Sequence, residues 1–361
     1  MTHYEERLEN DLARIQNQVQ LLSSQVELAL KNAVHALLTG NDKLAHATAL
    51  GDAPINRLVR HVDTLCHSFI ALHLPSAGHL RRISSVIRTN IELERIGDYA
   101  VTICRESVQL SKRPEGTVAR EVELMAEESR RMLHQSIAAM NEHNAEMAKA
   151  TMGMADQVER TFDTVFADLT AAGDQWPLQD LFRLFVVFNM LERVSDQAKN
   201  ICEETVFAVE GTLKADKVYQ VLFLDEDNSC QSQMAQAVAR KAFPNSGRYS
   251  SAGRAAAATV DPTMRRFLEE RGVQLSGEQP QTLDLSPQEL ADYHIIVSLQ
   301  GPVKSYVAEI PFHTAALEWD VGPAPTGLDH AETTQRLEAM YREIAFQVRE
   351  LMETLRGPEA A

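Results

Sequence analysis

The sequence predicts two domains of different fold class. Residues 1–212 are predicted to form an all-α domain of two tandem three-helix bundles, because apolar residues recur there at helical spacing and strand-like alternation is almost absent. Residues 217–361 are predicted to form an α/β domain with a parallel sheet, because short apolar runs at 218–224 and 294–299 alternate with helical stretches. The pattern changes within the polar segment EGTLKADK, 210–217.

The first helix is the most regular element that the sequence predicts. Its apolar residues are spaced four or three apart over about four heptads, and they are Leu8, Leu12, Ile15, Val19, Leu22, Val26, Leu30, Ala33 and Leu37. The pattern stops at Gly40 and Asn41, residue types that commonly end a helix. A helix of this length needs other helices or a second copy of the chain to cover its apolar face, so we expect a bundle and a homodimer.

The helical half contains an internal repeat. ERIGDYAVTICRESV (94–108) and ERVSDQAKNICEETV (192–206) are identical at eight of fifteen positions, and GNDKLAHAT (40–48) resembles HNAEMAKAT (143–151). Such self-similarity indicates a duplication of a unit of about 100 residues, with about three helices in each copy.

Each copy of the repeat carries a pair of carboxylates four residues apart: Glu94 with Asp98, and Glu192 with Asp196. Residues at this spacing share a helix face, and like charges there destabilise a helix by about 0.2–0.5 kcal/mol unless something compensates. A shared divalent or trivalent cation such as Fe, Zn or Mn would compensate, since carboxylates are hard oxygen ligands. A solvated face with weak ion pairs to neighbouring arginines is the alternative that the residues leave open.

Further motifs in this half resemble those of the PhoU family, a group of phosphate-signalling accessory proteins built from two three-helix bundles. They are HYEERL near the N-terminus, PSAGHLR (75–81), NIELERIGD (90–98) and the echo of the last in the second copy. The resemblance covers residues 1–210. His79 departs from it, standing where the family has Asp, so that either His79 serves as a ligand or the first site is altered.

The PhoU resemblance implies a function. It implies metal binding at Glu94, Asp98, Glu192 and Asp196, and negative control of phosphate uptake and of the phosphate regulon. The partners that it implies are the ATPase of the phosphate transporter and the sensor histidine kinase. A metal-free helical scaffold remains the alternative.

The second half resembles the low-molecular-weight protein tyrosine phosphatases and the thioredoxin-coupled arsenate reductases. The resemblance covers most of residues 218–356. The segments that carry it are VLFLDEDNSCQSQMAQA (221–237), SAG (251–253), VDPTMRRFLEERGV (260–273), SGEQPQTL (276–283), DYHIIVSL (292–299) and LEWDVGPA (317–324).

Three positions that carry the chemistry of these enzymes differ in this chain. The family uses a nucleophilic Cys, a loop Arg that clamps the oxyanion and an Asp that acts as general acid. The corresponding residues here are Asp225, Gln231 and Gly322. We therefore expect no catalytic residue, and a remnant phosphate loop of Asp225, Asn228, Ser229, Cys230, Gln231 and Ser232.

Two interpretations of the acidic loop follow from its residues. Asp225 could be a replacement nucleophile, with a divalent metal held by Glu226 and Asp227, and the protein would then be an active phosphatase. Alternatively, the carboxylate of Asp225 or of a neighbour fills the ring of loop N–H groups and caps it internally. The second interpretation predicts a pseudo-phosphatase domain kept for binding.

Composition limits the classes of partner and compartment. The formal net charge of −16 over 361 residues argues against nucleic acid and favours cations or basic protein surfaces. No stretch approaches the roughly 18 consecutive apolar residues of a membrane span, and the first residues do not resemble a signal peptide. The four cysteines form no CxxC pair, which fits a reducing compartment. Together these features predict a cytoplasmic protein without direct membrane insertion.

Overall fold

The computed structural model describes residues 3–171, 176–212, 217–275, 279–282 and 287–357. The chain divides into two compact units, Met1–Lys214 and Ala215–Ala361. The described part of the first unit is helical, and the second unit contains a parallel sheet with helices, so the predicted fold classes are confirmed. Within the described ranges, no helix is long and apolar enough to cross a membrane.

The helical unit repeats one arrangement twice. The helices of the first copy are α1 His3–Thr39, α2 Asp42–Leu50, α3 Asp52–His73 and α4 Ala77–Ser107. Those of the second copy are α5 Gly116–Glu142, α6 Ala145–Met152, α7 Ala155–Ala171 and α8 Leu178–Glu210. The middle helix of each three-helix bundle is thus divided in two, at Gly51 and at Gly153, where glycine's low helix propensity favours a break.

The break before each divided helix is built in the same way in both copies. Gly40 and His143, which follow α1 and α5, have left-handed φ values of 65° and 53°. Asn41 and Asn144 then cap α2 and α6, each side-chain oxygen accepting a hydrogen bond at 3.0 Å from the backbone N–H three residues on. These matching caps explain why GNDKLAHAT and HNAEMAKAT resemble each other.

The core of the helical unit follows the predicted heptad pattern. All nine apolar residues of the pattern, from Leu8 to Leu37, are buried in one continuous core. Helices α4 and α8, which carry the acidic pairs, pack along each other at the centre of the unit. Ser129 on α5 donates a hydrogen bond to the Leu191 carbonyl of α8 at 2.8 Å, so polar as well as apolar contacts hold this centre.

The second unit has a four-stranded parallel sheet in the order β2-β1-β3-β4. Its strands are β1 Tyr219–Asp225, β2 Gly247–Gly253, β3 Ile295–Ser298 and β4 Ala315–Glu318. Its helices are α9 Gln231–Ala242, α10 Pro262–Glu269, α11 Pro287–Leu290 and α12 His330–Arg356, with a short 3-10 helix at Val303–Ser305.

Strand β1 lies inside the sheet and is covered on both faces. Val221 and Phe223 belong to the core that includes residues of α9 and α12, whereas Leu222 and Leu224 belong to a second core on the other face. Burial on both faces accounts for the uninterrupted apolar sequence of β1. The strand ends at Asp225, so the loop that follows lies at the carboxyl edge of the sheet, where α/β proteins commonly bind ligands.

Candidate functional site

The first acidic pair on α4 is joined by a third carboxylate from α3. Asp98 is exposed to solvent, and its pKa is raised, first by partial desolvation and then by the charge of Asp52, while Arg105 lowers it. Glu94 lies one turn before Asp98 and is half-buried. Asp52 is the first residue of α3, so this acidic cluster draws on two helices.

Two oxygens in this cluster lack hydrogen-bond donors. The Asn56 amide donates to Asp52 Oδ2 at 2.6 Å, but Asp52 Oδ1 and Asn56 Oδ1 are buried and accept no hydrogen bond. Leaving a buried acceptor unsatisfied costs about 1–3 kcal/mol. A hard cation would satisfy both oxygens, so the donor chemistry of the cluster suits one.

The second acidic pair is likewise joined by a carboxylate from a neighbouring helix. The pKa of Asp196 is raised to about 6 by desolvation and by the charges of Glu192 and Glu159, and Lys199 and Arg193 oppose this shift. Glu159 lies on α7, which packs against α8. Each predicted pair therefore belongs to a cluster formed by two helices of the same copy.

Sequence reasoning missed the contributions of α3 and α7. The missed residues are Asp52, Asn56 and Glu159. Asn56 and Glu159 occupy equivalent positions of the repeat, at the offset that relates GNDKLAHAT to HNAEMAKAT. Of these two equivalent residues, only Glu159 is a carboxylate, and the residue equivalent to Asp52 is Ala155. A comparison of the two copies for identical residues therefore does not reveal these three side chains.

The acidic clusters supply suitable donors but not a preformed coordination sphere. Across the described ranges, no three His, Cys, Asp or Glu side chains are grouped so that they could hold one metal ion. Metal binding at Glu94, Asp98, Glu192 and Asp196 therefore stays a prediction.

His79 does not join the first cluster. It lies in the first turn of α4, where its Nδ1 is 3.3 Å from Ser76 Oγ. Glu94 lies fifteen residues further along the same helix, which corresponds to about 22 Å at 1.5 Å per residue. His79 is therefore not a ligand shared with Glu94 and Asp98.

The loop after β1 encloses the carboxylate of Asp225. This side chain is fully buried; Oδ1 accepts a hydrogen bond from Asn228 N at 2.5 Å and Oδ2 accepts one from Ser232 N at 2.9 Å. Burial raises the pKa of Asp225, while the hydrogen bonds from Ser232 and Asn228 act in the opposite direction. The geometry matches the internal cap that the sequence suggested.

Asn228 organises this loop. Its backbone is left-handed, with φ 55°, a conformation that Asn tolerates better than most residues. Its Nδ2 donates to Ser232 Oγ at 2.7 Å, and its Oδ1 accepts from Gln233 Nε2 at 3.1 Å and from Gln281 N at 2.8 Å. The fully buried Asn228 thereby connects the loop to α9 and to the segment around Gln281.

The other two acids of the loop have partners of their own. Glu226 forms an exposed ion pair with Arg254 at 2.8 Å. Asp227 Oδ1 accepts a hydrogen bond from Ser229 N at 3.0 Å. The three acids at 225–227 therefore face different surroundings and do not converge as ligands of one ion.

None of the four cysteines is placed for thiolate chemistry. All are buried and free of disulfides. Burial raises the pKa of Cys66 to about 12, of Cys104 to about 11 and of Cys202 to about 12, and it raises that of Cys230 in the loop as well. The thiolate is the nucleophilic form of cysteine, so burial disfavours thiolate chemistry at all four positions.

Gly322, which the sequence resemblance places at the position of the general acid, packs against a guanidinium. Gln231 Nε2 donates to Gly322 O at 3.1 Å, and Arg336 of α12 donates to Val321 O at 3.0 Å and to Pro323 O at 3.2 Å. Gly322 has φ 71°, and a Cβ built on it would overlap the Arg336 guanidinium. A carboxyl side chain therefore has no room at this position while Arg336 stays in place.

Both halves of the chain match known families. Residues 19–107 and 122–205 match the family described as the PhoU domain. Residues 220–359 match the family described as low molecular weight phosphotyrosine protein phosphatase. The first match falls in the helical unit and the second in the α/β unit.

Individual relatives resemble the helical unit. The phosphate-specific transport system accessory protein PhoU homolog of Pseudomonas putida is 28% identical over 215 residues, which are 58% of this chain and 83% of that protein. Its counterpart from Pseudomonas aeruginosa is 27% identical over 215 residues, 58% of this chain and 88% of that protein. The crystal structure of PhoU from Pseudomonas aeruginosa is similar with a TM-score of 0.54 at 27% identity, covering 56% of this chain and 99% of that one.

Proposed function

Because the chain carries a PhoU domain in its N-terminal part and a low-molecular-weight-phosphatase-like or arsenate-reductase-like domain in its C-terminal part, we propose that it negatively regulates phosphate uptake and the phosphate regulon through protein contacts. The observation that carries this proposal is the similarity to phosphate-transport accessory proteins over more than four fifths of their length. In this proposal the α/β unit does not act as an enzyme.

The proposed partners are the ATPase of the phosphate transporter and the sensor histidine kinase, and the protein is proposed to act as a cytoplasmic homodimer. The relatives' names, as accessory proteins of the phosphate transport system, support the transporter as a partner. The net charge of −16 favours contact with basic surfaces on these partners.

Binding to the purified transporter ATPase tests the partner proposal. We expect the full chain to bind the ATPase subunit in surface plasmon resonance, and to bind less tightly as ionic strength rises because the charges are then screened. Sedimentation of the chain alone reports whether it is a dimer. Absence of binding to the ATPase and to the kinase at low ionic strength would contradict the proposal.

The two acidic clusters are proposed to hold hard cations. The residues that would bind them are Glu94, Asp98 and Asp52 with Asn56 in the first copy, and Glu192, Asp196 and Glu159 in the second. A bound ion would neutralise the facing carboxylates and connect adjacent helices. The unsatisfied oxygens of Asp52 and Asn56 support the first of these sites.

Elemental analysis of the purified chain tests the cation sites. We expect Fe, Zn or Mn to copurify with the protein and to fall in the double variant Glu94→Ala/Glu192→Ala. Glu123→Ala, an exposed carboxylate on α5, is the matched control and should leave the metal content unchanged. A metal-free intact protein would instead favour the helical scaffold.

The α/β unit is proposed to be a pseudo-phosphatase. Asp225 is fully buried, and each of its carboxylate oxygens is held inside the loop by a hydrogen bond from a backbone N–H, so the carboxylate is not exposed to a substrate. Gln231 faces the Gly322 carbonyl, and it lacks the charge with which Arg clamps an oxyanion. These contacts support a role for the domain other than catalysis.

Turnover assays test the pseudo-phosphatase proposal. We expect no hydrolysis of p-nitrophenyl phosphate and no arsenate reduction above background, with or without Mg²⁺. Turnover that disappears in Asp225→Ala would instead establish an active phosphatase that uses Asp225 and a divalent metal.

A further inference from the structure

The helical unit contains a small cavity where its two copies meet. Four helices line it, α1 and α4 of the first copy and α5 and α8 of the second. Most of the wall is apolar and includes the side chains of Ile15, Ile83 and Met140. The volume of about 40 Å³ corresponds to a molecule of about three or four heavy atoms, since one water molecule needs about 10–15 Å³ of such space.

Three polar side chains of the wall each have an oxygen without a hydrogen-bond partner among the described residues. These buried atoms are Ser85 Oγ, Asn141 Oδ1 and Glu204 Oε2. Ser85 as a whole is only 6% exposed. The other carboxylate oxygen of Glu204, Oε1, accepts a hydrogen bond from Arg88 at 2.9 Å. Because a buried acceptor without a donor is costly, the cavity suits a ligand that donates hydrogen bonds.

The other copy of the repeat fills the equivalent position with an arginine. By the offset that relates ERIGD to ERVSD, Arg183 of α8 corresponds to Ser85 of α4. By the same offset, Glu106 corresponds to Glu204. Arg183 forms ion pairs with Asp180 at 3.0 Å and with Glu106 at 3.9 Å. Serine is much shorter than arginine, so the corresponding contact is not made in the cavity and Glu204 Oε2 is left without a donor from α4.

The charges around the cavity favour an uncharged ligand. Arg88 already balances Glu204, and the Arg82 guanidinium, which donates to Gln16 Oε1 at 2.9 Å, adds a positive charge to the wall. Burial and then the charge of Arg82 lower the pKa of His143, so this wall residue is neutral at pH 7. A cation would therefore be repelled, and an anion would bring acceptors rather than donors to the unpaired oxygens.

We propose that this cavity binds small uncharged molecules that carry a primary amide. The NH₂ group supplies two donors, for Asn141 Oδ1 and Glu204 Oε2, and the amide oxygen accepts from the Ser85 hydroxyl. A short alkyl group contacts the apolar wall, and the bound molecule joins helices of the two copies. The proposed function assigns protein partners and cations to the helical unit, so this ligand is an additional one that neither of them requires.

The test compares acetamide with acetone, which is nearly the same size but has CH₃ in place of NH₂. Methyl NMR spectra of the full chain report binding through the Ile83 and Met140 methyl groups, which line the cavity. We expect both resonances to shift saturably with acetamide. With acetone, half-saturation should need a concentration at least ~10-fold higher, because acetone leaves the buried acceptors unpaired.

Substitutions of two neighbouring serines show whether the shifts come from this cavity. Ser85→Val fills the cavity and removes its hydroxyl, so we expect the half-saturating acetamide concentration to rise at least ~10-fold. Ser84 lies next to it on α4 and outside the cavity wall. Ser84→Val is therefore the matched control and should leave acetamide binding unchanged.

Three results would overturn the proposal. Equal half-saturation by acetamide and acetone would show that the unpaired oxygens do not select the ligand. Acetamide shifts that never saturate would show that the cavity holds water only. Equal acetamide binding by Ser85→Val and the intact chain would place the site elsewhere. If Ser85→Val does not fold, the comparison of acetamide with acetone on the intact chain still decides the question.

Discussion

Asp196 shows at the residue scale how two helices create an electrostatic feature that one helix does not have. Its pKa of about 6 lies above the ordinary value of 3.8, first because burial desolvates the carboxylate and then because Glu192 and Glu159 lie near it. The folded state therefore binds more protons than the unfolded state between these two pH values. The resulting stabilisation is fully present below 3.8 and is lost as the pH rises through about 6.

Asp196→Asn should remove this pH dependence. We expect metal-free Asp196→Asn to gain stability over the metal-free intact chain as the pH rises from about 4 to about 7, because the amide carries no charge to be desolvated or to repel Glu192 and Glu159. Urea unfolding at several pH values measures the difference. Glu123→Gln serves as the exposed control, and an unchanged difference across this range would contradict the assignment.

Gly322 shows at the same scale how backbone conformation and packing restrict the residue type at one position. We expect Gly322→Asp to lower the free energy of unfolding by about 1–3 kcal/mol, because a left-handed φ of 71° strains a non-glycine residue and the new Cβ displaces Arg336. Denaturant unfolding of the single and double variants measures this cost. In an Arg336→Ala background the cost of Gly322→Asp should be smaller, since the clash is gone; additive costs would contradict the contact.

At the element scale, the divided middle helices of both copies begin with the same side-chain cap, an Asn. Asn144→Ala should destabilise the helical unit by about 1 kcal/mol, because the side chain no longer caps the N–H of Met147. Asn144→Ser keeps a capping oxygen and should retain most of the stability. Denaturant unfolding distinguishes the two, and equal losses would show that the cap contributes nothing.

Elements differ in how far the sequence predicts them. The sequence predicts helix α1 because its buried residues recur at helical spacing, and it predicts strand β1 because its buried residues form a continuous apolar run. Strand β2, with the sequence GRYSSAG, is not marked in this way, because small and polar residues suffice where it meets β1 and the loop. Strand β4 lies at the sheet edge and is largely exposed, and its apolar run is only three residues long, Ala-Ala-Leu, too short to mark a strand.

The candidate sites show the same division between local and tertiary information. The pairs Glu94–Asp98 and Glu192–Asp196 are visible because each lies within one helix and recurs in the repeat. The facing Asp52 and Glu159 come from other helices, and only packing brings them near. Likewise, the overlap of Arg336 with position 322 depends on α12 and has no local signal.

At the scale of the whole molecule, the two units divide the proposed work. The helical unit carries the similarity to phosphate-transport accessory proteins, together with both acidic clusters. The α/β unit carries a loop after β1 whose Asn228 and Ser232 N–H groups hold the Asp225 carboxylate. The central claim is therefore that the chain regulates phosphate uptake and that this regulation needs no catalysis by the α/β unit.

Phosphate uptake by living cells tests this claim most directly. The measurement is the rate of radiolabelled phosphate uptake in phosphate-replete cells of the native host that lack the chain, complemented with the intact chain or with Asp225→Asn. The account predicts excessive uptake without the chain and restored control with either version, because Asp225→Asn removes the candidate nucleophile and the proposed regulation needs no catalysis. Uptake that is unaffected by loss of the chain, or control that the intact chain restores and Asp225→Asn does not, would contradict it.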